Sequence, residues 1–244
     1  MKIIGNLIFI ISLSALLISC EKPEGVGGES TIEGSVYVNV YDKEFRVLQD
    51  RYPAQDEDVY IIYGNDLIHS DETNSSSNGM FRFDYLTKGK YTVFVYSDDY
   101  TGTGLTNIVI DTTINLSSNK DEVDIGILNI YKGIDYDDGL ATIHGKIRQI
   151  TYSNNFIFPL DTIDAKETDV YLIYENQDYY IERTRTLQDG SFAFPNLLKG
   201  NYQVIVYSDN QLAPFDKIPV VEEVTIYEIN QTVDVGVMQI VKED

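Results

Sequence analysis

The sequence contains one cysteine and no tryptophan in 244 residues. One cysteine excludes an internal disulfide and a zinc site built from several thiolates, so the fold must be held by burial of apolar side chains. Basic side chains are also few, since 18 Lys and Arg stand against 39 Asp and Glu and the net charge is −21. That charge repels nucleic acids and anionic lipid surfaces, and we expect neither as a partner.

Only the amino terminus carries a long apolar run, residues 3–18, which follows Lys2. The run is shorter than the ~20 residues that a membrane-spanning helix needs, and it predicts a secretory signal over residues 1–19. The sequence Leu-Ile-Ser-Cys that ends at Cys20 resembles the lipobox of bacterial lipoproteins. The resemblance implies acylation of Cys20 and anchoring in the outer membrane; a buried cysteine in an uncleaved helix is the alternative.

The remaining chain contains an internal duplication. Shifting residues 31–109 by 111 positions onto residues 142–220 gives 27 identities in 79 pairs without a gap. Gly-rich residues 20–30 predict a flexible tether before the first unit. The predicted domains are residues 31–130 and residues 141–244, and residues 131–140 are the linker between them.

Both units alternate apolar and polar residues with a period of two, as in the segments 36–40 and 91–96. This pattern in Val, Ile, Tyr and Phe, interrupted by Gly and Asn, predicts short antiparallel strands, and no window has an amphipathic helical pattern. The predicted fold is therefore all-β, with two tandem sandwiches.

The spacing Leu-x-x-Gly-x-Tyr occurs at Gly89 and Tyr91 and again at Gly200 and Tyr202. It suits a tyrosine corner, in which the glycine allows a turn and the tyrosine hydroxyl bonds to upstream backbone. With the Gly-x-Phe-x-Phe segments, each unit resembles the carboxypeptidase regulatory-like, or transthyretin-like, domain family. The resemblance implies an antiparallel, Ig-like sandwich of about seven strands, used as a structural or binding module without catalysis.

Motifs for catalysis are scarce. His69 and Glu72 spell the His-x-x-Glu of zinc carboxypeptidases, but they lie in a polar segment and His144 is the only other histidine. A catalytic zinc takes three protein ligands, so two histidines do not easily complete the site. The sequence also lacks a Gly-x-Ser-x-Gly elbow, a phosphate-binding loop and a dinucleotide fingerprint. We expect no enzyme and no cofactor, and a hydrolase is the third and weakest hypothesis.

Acidic residues cluster at the joint between the units, at Asp135, Asp137 and Asp138. Carboxylate oxygens of this kind bind Ca²⁺, which would be structural here and would stiffen the joint. Solvated turns produce the same composition, so the sequence leaves both interpretations open.

Tyrosines are the candidate ligand-binding residues, at Tyr100, Tyr152, Tyr179 and Tyr180, in loops or at strand ends. A tyrosine offers a broad apolar face with a polar tip, which suits a sugar ring or a protein partner, although tyrosine also populates outer sheet faces by propensity. The expected function is a lipid-anchored envelope module that binds or scaffolds a protein or glycan. The alternative is an assembly or anchor subunit of a surface polymer such as a pilus.

Overall fold

Residues 23–243 are described by a computed structural model, and they form two β-sandwiches. The predicted all-β fold with two tandem sandwiches is confirmed. The predicted signal segment and Cys20 lie outside the described residues. Within the described part of the chain, no helix is long and apolar enough to cross a membrane.

Each sandwich contains eight strands. The first domain consists of β1 (Val26–Asp42), β2 (Leu48–Pro53), β3 (Asp58–Tyr63), β4 (Asp71–Asn74), β5 (Met80–Leu86), β6 (Gly89–Asp98), β7 (Asn107–Leu116) and β8 (Glu122–Ile134). The second domain consists of β9 (Ala141–Tyr152), β10 (Pro159–Asp164), β11 (Asp169–Tyr174), β12 (Glu182–Arg185), β13 (Ser191–Leu197), β14 (Gly200–Asn210), β15 (Ala213–Ile226) and β16 (Thr232–Glu243). A short 3-10 turn, Asn154–Phe156, follows β9.

The two domains have the same topology. In the first, one sheet has the order β4-β3-β6-β7; in the other, β1 pairs with β5 and β2 along one edge and with β8 along the opposite edge. The second domain repeats this arrangement with β9 to β16. Pairing is antiparallel except between β1 and β8 and between β9 and β16, which are parallel.

Alternate residues of the strands build one core in each domain. In β6, Tyr91, Val93 and Val95 are fully buried, and their counterparts Tyr202, Val204 and Val206 in β14 are buried as well. The phenylalanines of the two Gly-x-Phe-x-Phe segments enter these cores from the facing sheets. The period of two in the sequence therefore corresponds to one side of each sheet facing the core.

The predicted tether requires a correction, because β1 begins at Val26 rather than after residue 30. The Gly25 backbone N–H donates a hydrogen bond to the Tyr91 hydroxyl at 3.0 Å. A Cβ on Gly28 would stand 1.9 Å from the Leu86 carbonyl oxygen, and a Cβ on Gly139 would stand equally close to the Leu197 carbonyl oxygen. The glycines here permit a close approach of two backbone segments. A Gly-rich sequence is equally compatible with such close packing and with a flexible tether.

The predicted linker is shortened in the same way, since β8 continues to Ile134. Ile134 packs against the cores of both domains, and Val47 packs against the second. The buried Gln49 side chain donates to the Lys199 carbonyl oxygen at 3.0 Å and accepts from the Lys199 N–H at 2.7 Å. These contacts join the two domains directly.

The duplicated Ser-Asp pair at the end of β6 and β14 ties the two sheets of each sandwich together. Ser97 accepts a hydrogen bond from the Tyr131 N–H at 2.8 Å, and Asp98 accepts one from the Gly133 N–H at 3.1 Å. Ser208 and Asp209 make the same bonds to β16, at 2.9 and 3.0 Å. The recurrence of these aspartates therefore has a structural cause.

Both predicted corner tyrosines are buried and bonded to backbone four residues upstream. The Tyr91 hydroxyl donates to the Thr87 carbonyl oxygen and the Tyr202 hydroxyl to the Leu198 carbonyl oxygen, each at 2.8 Å. The preceding glycines, Gly89 and Gly200, have φ of +148° and +146°, a region that favours glycine.

We expect Tyr91→Phe and Tyr202→Phe each to lower the free energy of unfolding by about 0.5–1.5 kcal/mol, since each change removes a buried hydrogen bond. Urea denaturation checks this, with Tyr96→Phe as the control because Tyr96 is 45% exposed. Equal stability of all three variants and the unmodified chain would contradict a role for the two corner bonds.

We expect the stability of the first domain to depend on pH through Asp121, in the turn between β7 and β8. Hydrogen bonds from the Ser118 and Ser117 side chains and N–H groups lower the pKa of Asp121 from 3.8 to about 2. Because the folded-state pKa is the lower one, the ionised carboxylate stabilises the fold above about pH 4, and this contribution is lost as the pH falls towards 2. Asp121→Asn should flatten the fall in stability over that interval, measured by urea denaturation. Asp111→Asn is the control, and a slope equally steep in both variants would contradict the assignment.

Candidate aromatic binding groove

The outer face of the β12-β11-β14-β15 sheet carries a group of tyrosine rings. Tyr171 lies on β11 and Tyr207 on β14, and their ring centroids are 5.8 Å apart at an interplanar angle of 77°. Tyr180 comes from the loop between β11 and β12, and its ring lies 5.2 Å from that of Tyr171 at 64°. The rings of Tyr180 and Tyr207 thus each meet the Tyr171 ring at a steep angle.

These rings border a hollow of about 290 Å³ that we call the aromatic groove. Seven residues line it: Tyr171, Ile173, Asp178, Tyr179, Tyr180, Ile205 and Tyr207. Tyr179, Tyr180 and Tyr207 are 60%, 54% and 48% exposed. Exposed tyrosine rings gathered around one hollow make it a candidate binding surface.

The first domain has a different arrangement at the same place. Tyr60 and Tyr96 are the counterparts of Tyr171 and Tyr207, and Phe94 is the counterpart of Ile205. The Phe94 ring stacks on Tyr60 at 5.1 Å and 21° and is only 8% exposed, although it lies outside the core cluster. In the second domain the smaller Ile205 leaves the corresponding space open.

The charge at the groove is negative. Asp178 is the one charged residue of the lining, and among the described residues it forms no hydrogen bond or ion pair. Arg183, which pairs with Tyr171 across the β11–β12 ladder, has its guanidinium 3.8 Å from Asp169. The groove therefore presents tyrosine faces, aliphatic side chains and one unpaired carboxylate.

Of the four predicted ligand-binding tyrosines, the structure brings two together. Tyr179 and Tyr180 line the groove, whereas the Tyr100 ring lies against Tyr131 at 4.0 Å and the Tyr152 ring lies 6.0 Å from Phe156. Tyr171 and Tyr207 were not predicted. They recur as Tyr60 and Tyr96 in the first domain, so the sequence alone does not mark them as groove residues.

A second, more polar cleft of about 460 Å³ lies at the joint. Its Lys43 ammonium lies 3.5 Å from the Asp135 carboxylate and 4.2 Å from the Tyr136 ring centroid. Burial, together with a hydrogen bond to Glu44, raises the pKa of Tyr136 to about 12. Burial also raises the pKa of the Glu182 carboxyl. Lys43 is thus held between an acidic side chain and an aromatic ring at the joint.

The structure does not bring the acidic side chains of the joint together in one metal-binding cluster. Among residues 23–243, no group of three or more His, Cys, Asp or Glu side chains is placed to hold a metal ion. The Asp138 carboxylate accepts the Asp135 N–H at 3.0 Å and closes a turn. His69 and His144 lie in different domains, each 3.8 Å from one carboxylate, Glu72 and Asp234 respectively.

No protein-family model matches the chain, and no curated protein matches it. GBS52, a minor pilin of Streptococcus agalactiae, is 12% identical with a TM-score of 0.29, over 87% of this chain and 96% of that one. The Bacillus anthracis TIE protein is 13% identical with a TM-score of 0.27, over 85% of this chain and 34% of that one. A putative carbohydrate-binding protein of Pseudomonas aeruginosa is 14% identical with a TM-score of 0.25, over 44% and 90%. Scores this low carry no functional conclusion.

Proposed function

We propose that the chain is a lipid-anchored protein of the outer membrane that binds a protein or glycan ligand through the aromatic groove and catalyses no reaction. The observation that carries this proposal is the open groove of the second domain, at a position that Phe94 fills in the first. Anchoring rests on the lipobox that ends at Cys20.

The lining of the groove suits contact rather than chemistry. Tyrosines contribute large rigid surfaces at a small cost in side-chain entropy, and they are enriched among residues that dominate binding energy. General acid–base or nucleophilic catalysis needs a reactive group oriented by a second one. Besides tyrosine hydroxyls, the lining offers only the Asp178 carboxylate, which has no such partner among the described residues.

Sedimentation with envelopes tests the proposal. Residues 21–244, produced without the leader and its cysteine, should sediment saturably with the envelope fraction of the expressing bacterium. Ile205→Phe should abolish this binding because it fills the groove as Phe94 does in the first domain, whereas Tyr96→Ala should leave it unchanged. Equal sedimentation of the two variants would overturn the proposal. Loss of binding after protease or after periodate treatment of the envelopes identifies the ligand as protein or glycan.

A second candidate function, assembly into a surface polymer, is favoured by the free edge of β7. Its ten residues carry no proline and one charge, Asp111, and Val109 is 50% exposed. The counterpart β15 contains Pro219, which cannot donate to a ladder, and several charged side chains. Strand addition at β7 would produce dimers that Val109→Lys abolishes. Light scattering that shows a monomer at millimolar concentration would contradict this candidate.

A further inference from the structure

We propose that the aromatic groove binds a lysine side chain from a basic segment of a protein partner. This inference rests on the proposed function and specifies its ligand. Three features of the groove carry it: the angles between its rings, its aliphatic floor and its unpaired carboxylate.

The ring geometry suits a compact cation. Tyr180 and Tyr207 meet Tyr171 at 64° and 77°, so the rings form walls at steep angles instead of one flat platform. Sugar rings stack on flat aromatic surfaces, whereas an ammonium group is attracted to ring faces within about 6 Å of the centroid. A corner of tyrosine rings allows one cation to contact more than one face.

The floor and the size of the groove suit the rest of a lysine side chain. Ile173 and Ile205 provide aliphatic contact for a four-carbon stem, which lysine buries readily while its charged end stays near polar groups. The volume of about 290 Å³ is just below the usual range for small-molecule sites and corresponds to one side chain more than to an extended ligand.

Charge complementarity selects a cationic partner. The Asp178 carboxylate at the groove is available for an ammonium group, because Arg183 is directed to Asp169 instead. The net charge of −21 attracts basic segments over longer distances and raises their association rate at low salt. Lysine suits the groove because its ammonium group is a compact point charge on a four-carbon stem, whereas a planar guanidinium stacks flat on one ring and the neighbouring rings stand at 64° and 77° to Tyr171.

Saturation-transfer NMR with matched peptides tests this proposal on the full chain purified from membranes in mild detergent. The probes are acetyl-Gly-Lys-Gly-amide, the norleucine peptide, which keeps the aliphatic stem without the ammonium group, and the arginine peptide. We expect transfer to the lysine methylene protons at least about threefold above transfer to norleucine or arginine. Ile205→Phe and Tyr180→Leu should reduce transfer to background, Asp178→Asn should reduce it about twofold, and Tyr96→Ala should leave it unchanged.

Equal transfer to lysine and norleucine, stronger transfer to arginine, or transfer that persists in both Ile205→Phe and Tyr180→Leu would each overturn the lysine assignment. Thermal unfolding verifies that the two groove variants remain folded, and two substitutions on different elements guard against misfolding of either. Envelope binding that still depends on the groove while the lysine peptide is not preferred would overturn this inference and leave the proposed function standing. Envelope binding that is unchanged by the groove substitutions would overturn both this inference and the proposed function.

Discussion

Replacing Gly28 with alanine is expected to lower the free energy of unfolding of the first domain by about 3 kcal/mol, at the upper end of the range for overpacking. The added Cβ would lie 1.9 Å from the Leu86 carbonyl oxygen and 2.9 Å from the Thr87 Cα, both of them backbone atoms. Since neither atom can move by rotation of a side chain, β1 or the end of β5 must shift. Urea denaturation followed by circular dichroism measures the effect.

Val26→Ala is the matched control for Gly28→Ala. Val26 belongs to the same part of β1 and is 67% exposed, so its truncation should change stability by less than about 0.5 kcal/mol. Gly139→Ala should destabilise the second domain in the same way, because its Cβ meets the Leu197 carbonyl oxygen at the same distance. If Gly28→Ala were as stable as Val26→Ala, residues 26–30 would be a tether after all.

The second large effect is expected at Cys20. Cys20→Ala should abolish incorporation of an alkyne-labelled fatty acid and move the chain from the membrane fraction to the soluble fraction. We expect nearly all of the chain to change fraction, because the anchor is strong. Each buried CH₂ of an acyl chain contributes about 0.8 kcal/mol, and two or more chains anchor far more firmly than one.

Ser12→Ala, a change within the apolar run, is the control for Cys20→Ala and should leave labelling and fractionation unchanged. Labelling that survives Cys20→Ala would show that the anchor is elsewhere. Loss of labelling in Ser12→Ala as well would contradict an effect specific to Cys20.

Much of the fold was predictable because it depends on local patterns and on a duplication. The period of two in segments such as 91–96 predicts strands directly, and the recurrence of Gly-x-Tyr marks the two buried corners. The Gly-rich segment before residue 31 was misread for a physical reason. Glycine serves flexibility and close packing alike, and only the position of the Leu86 carbonyl oxygen distinguishes the two at Gly28.

The groove was predictable only in part. Tyr179 and Tyr180 stand out as adjacent aromatics in a polar loop, whereas Tyr171 and Tyr207 look like ordinary outward-facing strand residues. Whether the face of the ring on β11 or its counterpart is covered or open depends on one residue of the neighbouring strand, Phe94 in one domain and Ile205 in the other. It also depends on where the following loop places Tyr180, which no local pattern encodes.

Photo-crosslinking on intact cells tests most directly whether the second domain acts through its groove. The photoreactive amino acid p-benzoylphenylalanine replaces Tyr207 at the groove in one variant and its counterpart Tyr96 in the first domain in the other. The expected result is a discrete adduct at position 207, lost when Ile205→Phe is added, and no adduct at position 96. Equal adducts at both positions, or an adduct at 207 that persists with Ile205→Phe, would contradict binding through the groove.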